Sequence, residues 1–195
     1  MDVYEAATHR RTIRRYKQDK VPAATIEKLV NAARLAPSGA NLQPCEYIAV
    51  TDRAIVDDLF TCLKWAGYIA PAGDPPAGQR PVAYIVVLIN RTIKERGGDH
   101  DAAAGIENML LVAHEEGLGS CWVGSVDRAR ATQILSIPPT HEIDSVVAFG
   151  YPNERSVIEE ATDSIKYWKD EKGVMHVPKR PLKGILHSNK FKGQR

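Results

Sequence analysis

Arg10, Thr12 and Arg14 fall at every second position of the run RRTIRR. If that run is extended, the three side chains project from one face, because side chains alternate along a strand. Two guanidinium forks and a hydroxyl on one face would grip a phosphate, since arginine offers bidentate, charge-assisted bonds to its oxygens. The plainer alternative is a solvated basic segment after a helix.

Two further stretches carry chemistry of another kind. APSGANLQP, residues 36–44, offers hydrogen bonds without charge. Ser38, Asn41 and Gln43 lie between the stiff Pro37 and Pro44, and Gly39 permits close backbone approach. A carboxamide donates and accepts at once, which suits a flat neutral edge of alternating donors and acceptors, such as the pyrimidine edge of a flavin. A plain helix-to-strand connection that satisfies its own backbone is the competing reading. In GLGSCWVGS, residues 117–125, the small residues Gly119, Ser120, Gly124 and Ser125 leave backbone exposed near a strand end. A planar ring could lie there; the alternative is tight packing with Trp122 in the core.

The elements that must hold these stretches follow from periodicity. Residues 2–9 suit a short helix. A second helix opens at Pro22, with Ile26, Leu29, Val30 and Ala33 on one face, and stops at Pro37. EYIAV (46–50), the wholly apolar VAYIVVLI (82–89), LGSCWV (118–123) and IDSVVAFG (143–150) read as strands. Asp52 caps a helix bearing Ile55, Val56, Leu59, Phe60 and Leu63. Asp99 or Asp101 caps a long helix lined by Ala102, Ile106, Met109, Leu110 and Ala113, and Asp127 caps a last one. Residues 67–81 form a proline- and glycine-rich loop, long enough to suggest a lid or partial disorder. From about residue 151 onward the pattern is polar and irregular. Helices interleaved with strands make an α+β domain with a helix-flanked sheet.

Other chemistries fit poorly. GLGSCWVG places Trp122 where a dinucleotide fingerprint needs its third glycine, and it enters a strand. His100 and His114 stand nearly four helical turns apart, too far for one metal. HEEG lacks the second histidine of a zinc protease motif, and no G-x-S-x-G is present. Cys121 reads as a packed thiol.

The chain has 195 residues, 44% hydrophobic and 26% charged, with net charge +2. That is enough for a single domain with a real core. It provides no basic surface for nucleic acid and no apolar run of transmembrane length. Three scattered cysteines, Cys45, Cys62 and Cys121, fit a reducing cytoplasmic setting rather than a disulfide framework.

Taken in order, RRTIR, APSGANLQP, the long helix into GLGSCWVGS, GYPNE and PKRPL resemble the flavin-dependent nitroreductase family over about residues 8–187. The resemblance implies one α+β domain spanning 1–195, with a central mixed or antiparallel sheet flanked by helices. It also implies an intertwined homodimer, with a C-terminal segment (about 151–195) packing on the partner. FMN would be bound at the subunit interface. Arg10, Arg11, Thr12 and Arg14 would meet its phosphate and ribityl chain, joined by Lys179 and Arg180. Pro37, Ser38, Gly39, Asn41 and Gln43 would reach the ring edge from the other subunit, and the backbone at Gly124 and Ser125 would approach the reactive nitrogen. NADH or NADPH would supply hydride, and a small electron acceptor such as a nitroaromatic or quinone would be reduced in a ping-pong cycle. The flavin would carry the chemistry, with no catalytic side chain and no metal. The family also admits flavin fragmentation, reductive dehalogenation and flavin binding with little turnover. Cys45 departs from the aromatic residue common after the loop's proline, and the chain is short between its second helix and the central strand.

Overall fold

Asp2 starts the first helix, α1 (Val3–His9). Its carboxylate accepts the Glu5 N–H, while the Glu5 side chain accepts the Asp2 N–H. In this computed structural model, which describes residues 1–191, four strands and four further helices build the main sheet and its covers beyond α1. α2 (Ala23–Arg34) follows Pro22 and buries Ile26, Leu29 and Ala33. β1 (Cys45–Val50), β2 (Ala83–Asn90), β3 (Gly119–Val123) and β4 (His141–Gly150) pair in the order β1-β2-β4-β3, every pairing antiparallel. α3 (Arg53–Phe60) is capped by Asp52 and α5 (Arg128–Ile134) by Asp127, as the sequence predicts. α4 (Asp99–Glu115) is the long helix; its N-cap is the left-handed Gly98, and Asp99 and Asp101 sit in its first turn instead.

β2 is buried on both faces, which explains its unbroken apolar run. Tyr84, Val86 and Leu88 pack with Val56 and Leu59 of α3 and Ala131 of α5. Ala83, Ile85 and Val87 pack with Leu29 of α2 and Ile106 and Met109 of α4. The result is an α+β fold with an antiparallel sheet between helical layers, as read from the pattern.

The tail departs from that reading. β5 (Ser156–Glu160), β6 (Trp168–Lys169) and β7 (Met175–Lys179) form a second sheet in the order β5-β7-β6, with β5 and β7 parallel. These strands are short and charged, and Pro178 interrupts β7, so no alternation marks them. Within residues 67–81, Tyr68 packs against the tail: its N–H donates to the Tyr167 hydroxyl at 3.3 Å and the two rings lie 4.9 Å apart.

Candidate functional site

Residues 10–14 run extended beside β3. Ile13 N donates to Ser120 O at 2.9 Å, and Thr12 bridges Ser120 in parallel. Gly119 makes this approach possible: a Cβ there would stand 2.7 Å from Ile13 Cγ2. The segment pairs with β3 at Thr12 and Ile13 as an extended run would, but the arginines find different neighbours. Arg10 turns to α4, where its Nε lies 3.8 Å from Glu107 Oε1 and has no hydrogen-bond acceptor among the described residues. Arg11 folds back on α1, donating from Nη2 to Thr8 O at 2.7 Å and from Nε to His9 O. Burial and then the Arg10 charge lower its pKa. Arg14 places its guanidinium carbon 5.3 Å from the centre of the Tyr167 ring. No ion pair neutralises Arg14 among the described residues. Burial, followed by Arg10, pushes the His114 pKa down.

The neutral loop begins where α2 ends. Leu35 stops the helix, and a 3-10 turn spans Gly39–Asn41. Ala40, Asn41 and Gln43 all take left-handed backbone, with φ of 50°, 55° and 52°. For Ala40 and Gln43 this costs on the order of 1–2 kcal/mol each, while asparagine adopts it more readily; such strain clusters at active sites, ligand clamps and switch regions. The buried Asp101 and the half-buried Lys94 hold the loop in this shape. Asp101 Oδ1 accepts the Gly39 N–H at 2.9 Å, and Lys94 Nζ donates to Asp101 Oδ2 at 2.6 Å. Lys94 and the Gly39 N–H together lower the Asp101 pKa. The Gln43 N–H donates to Ser38 Oγ at 3.0 Å, which leaves the hydroxyl proton of Ser38 for another acceptor. Among the described residues, the Asn41 carboxamide makes no hydrogen bond, so it keeps both a donor and an acceptor. Pro37, Ser38, Gln43, Cys45, Tyr47 and Asp101 line a cavity of about 120 Å³.

Gly124 and Ser125 lie exposed just past β3. A Cβ on Gly124 would meet nothing within 4 Å, so the backbone there is open to approach. Trp122, by contrast, is 41% exposed and donates from Nε1 to Ser145 Oγ at 2.8 Å, so it is not a core residue. Lys179 ends β7, and Arg180 Nη2 donates to Gly184 O at 3.1 Å. Both line a separate groove with Glu159 and Glu160. Among the described residues, no hydrogen bond or ion pair joins residues 10–14 to residues 37–43 or to residues 179–180.

Sequence reasoning missed four residues that shape these segments. Asp101 was read only as a helix cap, and Lys94 carried no signal. Glu154, in GYPNE, accepts the Arg14 N–H at 2.6 Å and the Arg15 N–H at 3.3 Å. Tyr167 lies under Arg14 from a stretch that reads as irregular. No group of three or more histidine, cysteine or acidic side chains among the described residues could hold a metal.

The donor set suits an anion attached to a flat, neutral heterocycle. The orphan Arg10 Nε and Arg14, which no carboxylate neutralises among the described residues, suit a phosphate. The free donors and acceptors of Ser38 and Asn41 suit a ring edge like that of FMN.

Comparison with known proteins bears on this pattern. The model of the family described as "Nitroreductase family" matches residues 7–151. A protein of Methanothermobacter thermautotrophicus, provisionally named NADH dehydrogenase/NAD(P)H nitroreductase, is 32% identical over 160 residues, 79% of each chain. The 5,6-dimethylbenzimidazole synthase of Rhodospirillum rubrum is 27% identical over 173 residues, covering 77% of this chain and 82% of its own. A crystal structure from Desulfovibrio desulfuricans, of a provisionally named nitroreductase in complex with FMN, superimposes with a TM-score of 0.70. It is 25% identical, covering 98% of this chain and 99% of its own.

Proposed function

Because this chain belongs to the nitroreductase family, we propose that it is an FMN-dependent oxidoreductase that takes hydride from NADH or NADPH and reduces a small conjugated acceptor. One observation carries the reading. The matched region encloses the arginine segment, the left-handed neutral loop and the open backbone at Gly124 and Ser125. Lys179 and Arg180 fall outside it, and their part in the site rests on the resemblance alone.

When bound, FMN would supply the hydride-transfer chemistry. The chain's own residues would bind and orient. Arg10, Thr12 and Arg14 would hold the phosphate and ribityl chain, while Arg11, already engaged with α1, would add charge rather than a direct bond. Ser38, Asn41 and Gln43 would read the ring edge, with Pro37 and Gly39 shaping their loop. Gly124 and Ser125 would offer backbone N–H groups near the ring. Reductant and acceptor would occupy one open face in turn, as a ping-pong cycle requires. No side chain is assigned as general acid or base.

The site would be shared between two copies of the chain. The cavity beside the neutral loop, about 120 Å³, is well below the 300–1,000 Å³ typical of a cofactor pocket. An apolar groove of about 570 Å³ between α1, α2 and α4, lined by Val3, Ala6, Leu35, Leu111 and Val112, would receive a second copy. The C-terminal segment would then reach across the partner. Among the described residues no helix is long and apolar enough to cross a membrane. The three free cysteines suit a cytoplasmic setting.

Stopped-flow mixing tests the reading. Bound FMN should bleach with NADH or NADPH and recover when a nitroaromatic or quinone is added. Flavin that stays oxidised with both nicotinamides would leave a binding protein with little turnover. A second reading, action on flavin itself, is one that the family resemblance also admits. Its mark would be loss of the flavin ring during aerobic incubation with reductant, read by mass spectrometry.

A further inference from the structure

Arg14 is held at two points by residues that lie beyond the region matched by the family model. Its backbone N–H is taken by Glu154, whose side chain is only 4% exposed and whose second oxygen pairs with Lys169 of β6 at 3.4 Å. Its guanidinium rests on the ring of Tyr167. Tyr167 is itself fixed, since its hydroxyl accepts the Tyr68 N–H and its ring packs on that of Tyr68. A guanidinium held over an aromatic face keeps N–H groups for an acceptor, and one of Arg14's already reaches the Cys121 thiol. The clamp thus spends none of Arg14's charge on a carboxylate while removing much of the side chain's freedom.

We propose that Tyr167 is a positioning residue: it holds the Arg14 guanidinium toward an anionic group of the bound ligand, and Glu154 fixes the backbone from which Arg14 projects. This inference rests on the proposed flavin-binding function. Two parts of one ligand carry the required charge, the phosphate tail and the reduced, anionic ring. Either would gain from an arginine whose orientation is set before binding.

Tyr167→Leu removes the aromatic face, and Tyr167→Phe retains it. FMN and riboflavin affinities and the two-electron potential of bound FMN would be measured for wild type and both variants. If Arg14 serves the phosphate, Tyr167→Leu lowers the preference for FMN over riboflavin by about two- to fivefold. If Arg14 serves the ring, that variant instead shifts the potential to more negative values. Tyr167→Phe, which keeps the aromatic face and loses only the bond from the Tyr68 N–H, should stay closer to wild type than Tyr167→Leu in both. Leaving both quantities unchanged in Tyr167→Leu, or altering them equally in Tyr167→Phe, would overturn the proposal. Should Tyr167→Leu not fold, Arg14→Lys keeps the charge without the planar stack, and an unaltered preference and potential there would overturn it as well. Wild-type protein that binds neither flavin would refute the underlying function instead. Inorganic phosphate then decides the clamp: phosphorus NMR line broadening by wild type but not by Tyr167→Leu upholds it, and equal broadening overturns it.

Discussion

The Asp101 carboxylate, in the first turn of α4, accepts the backbone N–H of Gly39 at 2.9 Å, although the two residues are 62 positions apart. The long helix thereby holds the neutral loop in its left-handed path, and Lys94 neutralises the acid that does so.

Asp101→Ala should cost about 1–3 kcal/mol, because it strands the Gly39 N–H and the Lys94 ammonium. Asp101→Asn, which keeps an acceptor, should cost less. The pH dependence has a definite sign. Lys94 and Gly39 hold the Asp101 pKa below the ordinary carboxylate value, so the stabilisation is complete above that value, roughly pH 4. It is lost as pH falls through the lowered pKa of the folded state. Urea unfolding of wild type and Asp101→Asn should therefore differ by a constant amount at neutral pH, and the difference should shrink only as pH falls below the ordinary carboxylate range.

Gly119 and Gly124 look alike in sequence and should behave oppositely. Alanine at 119 would drive a methyl to 2.7 Å from Ile13, so Gly119→Ala should destabilise by about 1–3 kcal/mol and push the arginine segment off β3. Flavin affinity, followed by quenching of FMN fluorescence, should fall with it. Gly124→Ala meets nothing within 4 Å, and its unfolding midpoint should match wild type.

Arg14→Ala should weaken FMN binding by roughly 1.5–3 kcal/mol, the worth of a hydrogen bond to a charged group. Titration calorimetry would measure it. Wild-type affinity in this variant would remove Arg14 from the site.

If the site is shared between subunits, dilution that splits the dimer should release FMN in parallel. Analytical ultracentrifugation with absorbance at the flavin band would follow both events. Monomers that retain the flavin would contradict a shared site.

Burial pushes the Cys45 and Cys121 thiols each up to about 11. At pH 8 their thiolate fraction is far smaller than that of an ordinary cysteine, so alkylation of the folded protein should be slower on the order of a hundredfold. Unfolding in guanidinium should restore the normal rate at Cys45, Cys62 and Cys121. A fast-reacting thiol in the native state would reopen thiol chemistry, which the flavin mechanism does not need.

Local pattern accounts for much of the architecture. The 3.6-residue spacing of α2 and α4, the caps at Asp52 and Asp127 and the unbroken apolar run of β2 are nearest-neighbour effects, and the structure bears them out. The small C-terminal sheet was not legible, because β5 pairs with β7 across nineteen residues of register and neither strand alternates. The side on which Trp122 lies was not legible for a related reason. It alternates outward on β3 while its neighbours Cys121 and Val123 face the core, a consequence of register rather than residue type.

The sequence alone determined which residues could bind an anion and a neutral ring edge, since donor count, charge and glycine spacing are properties of the residues themselves. Only the tertiary structure decided how those residues are aimed. It spent Arg11 on α1, laid Arg14 on Tyr167, and tied Gly39 to Asp101. Each of the last two contacts joins segments far apart in the chain, and such a partner is selected by packing, where a buried charge or N–H must find its complement and local sequence cannot say which one.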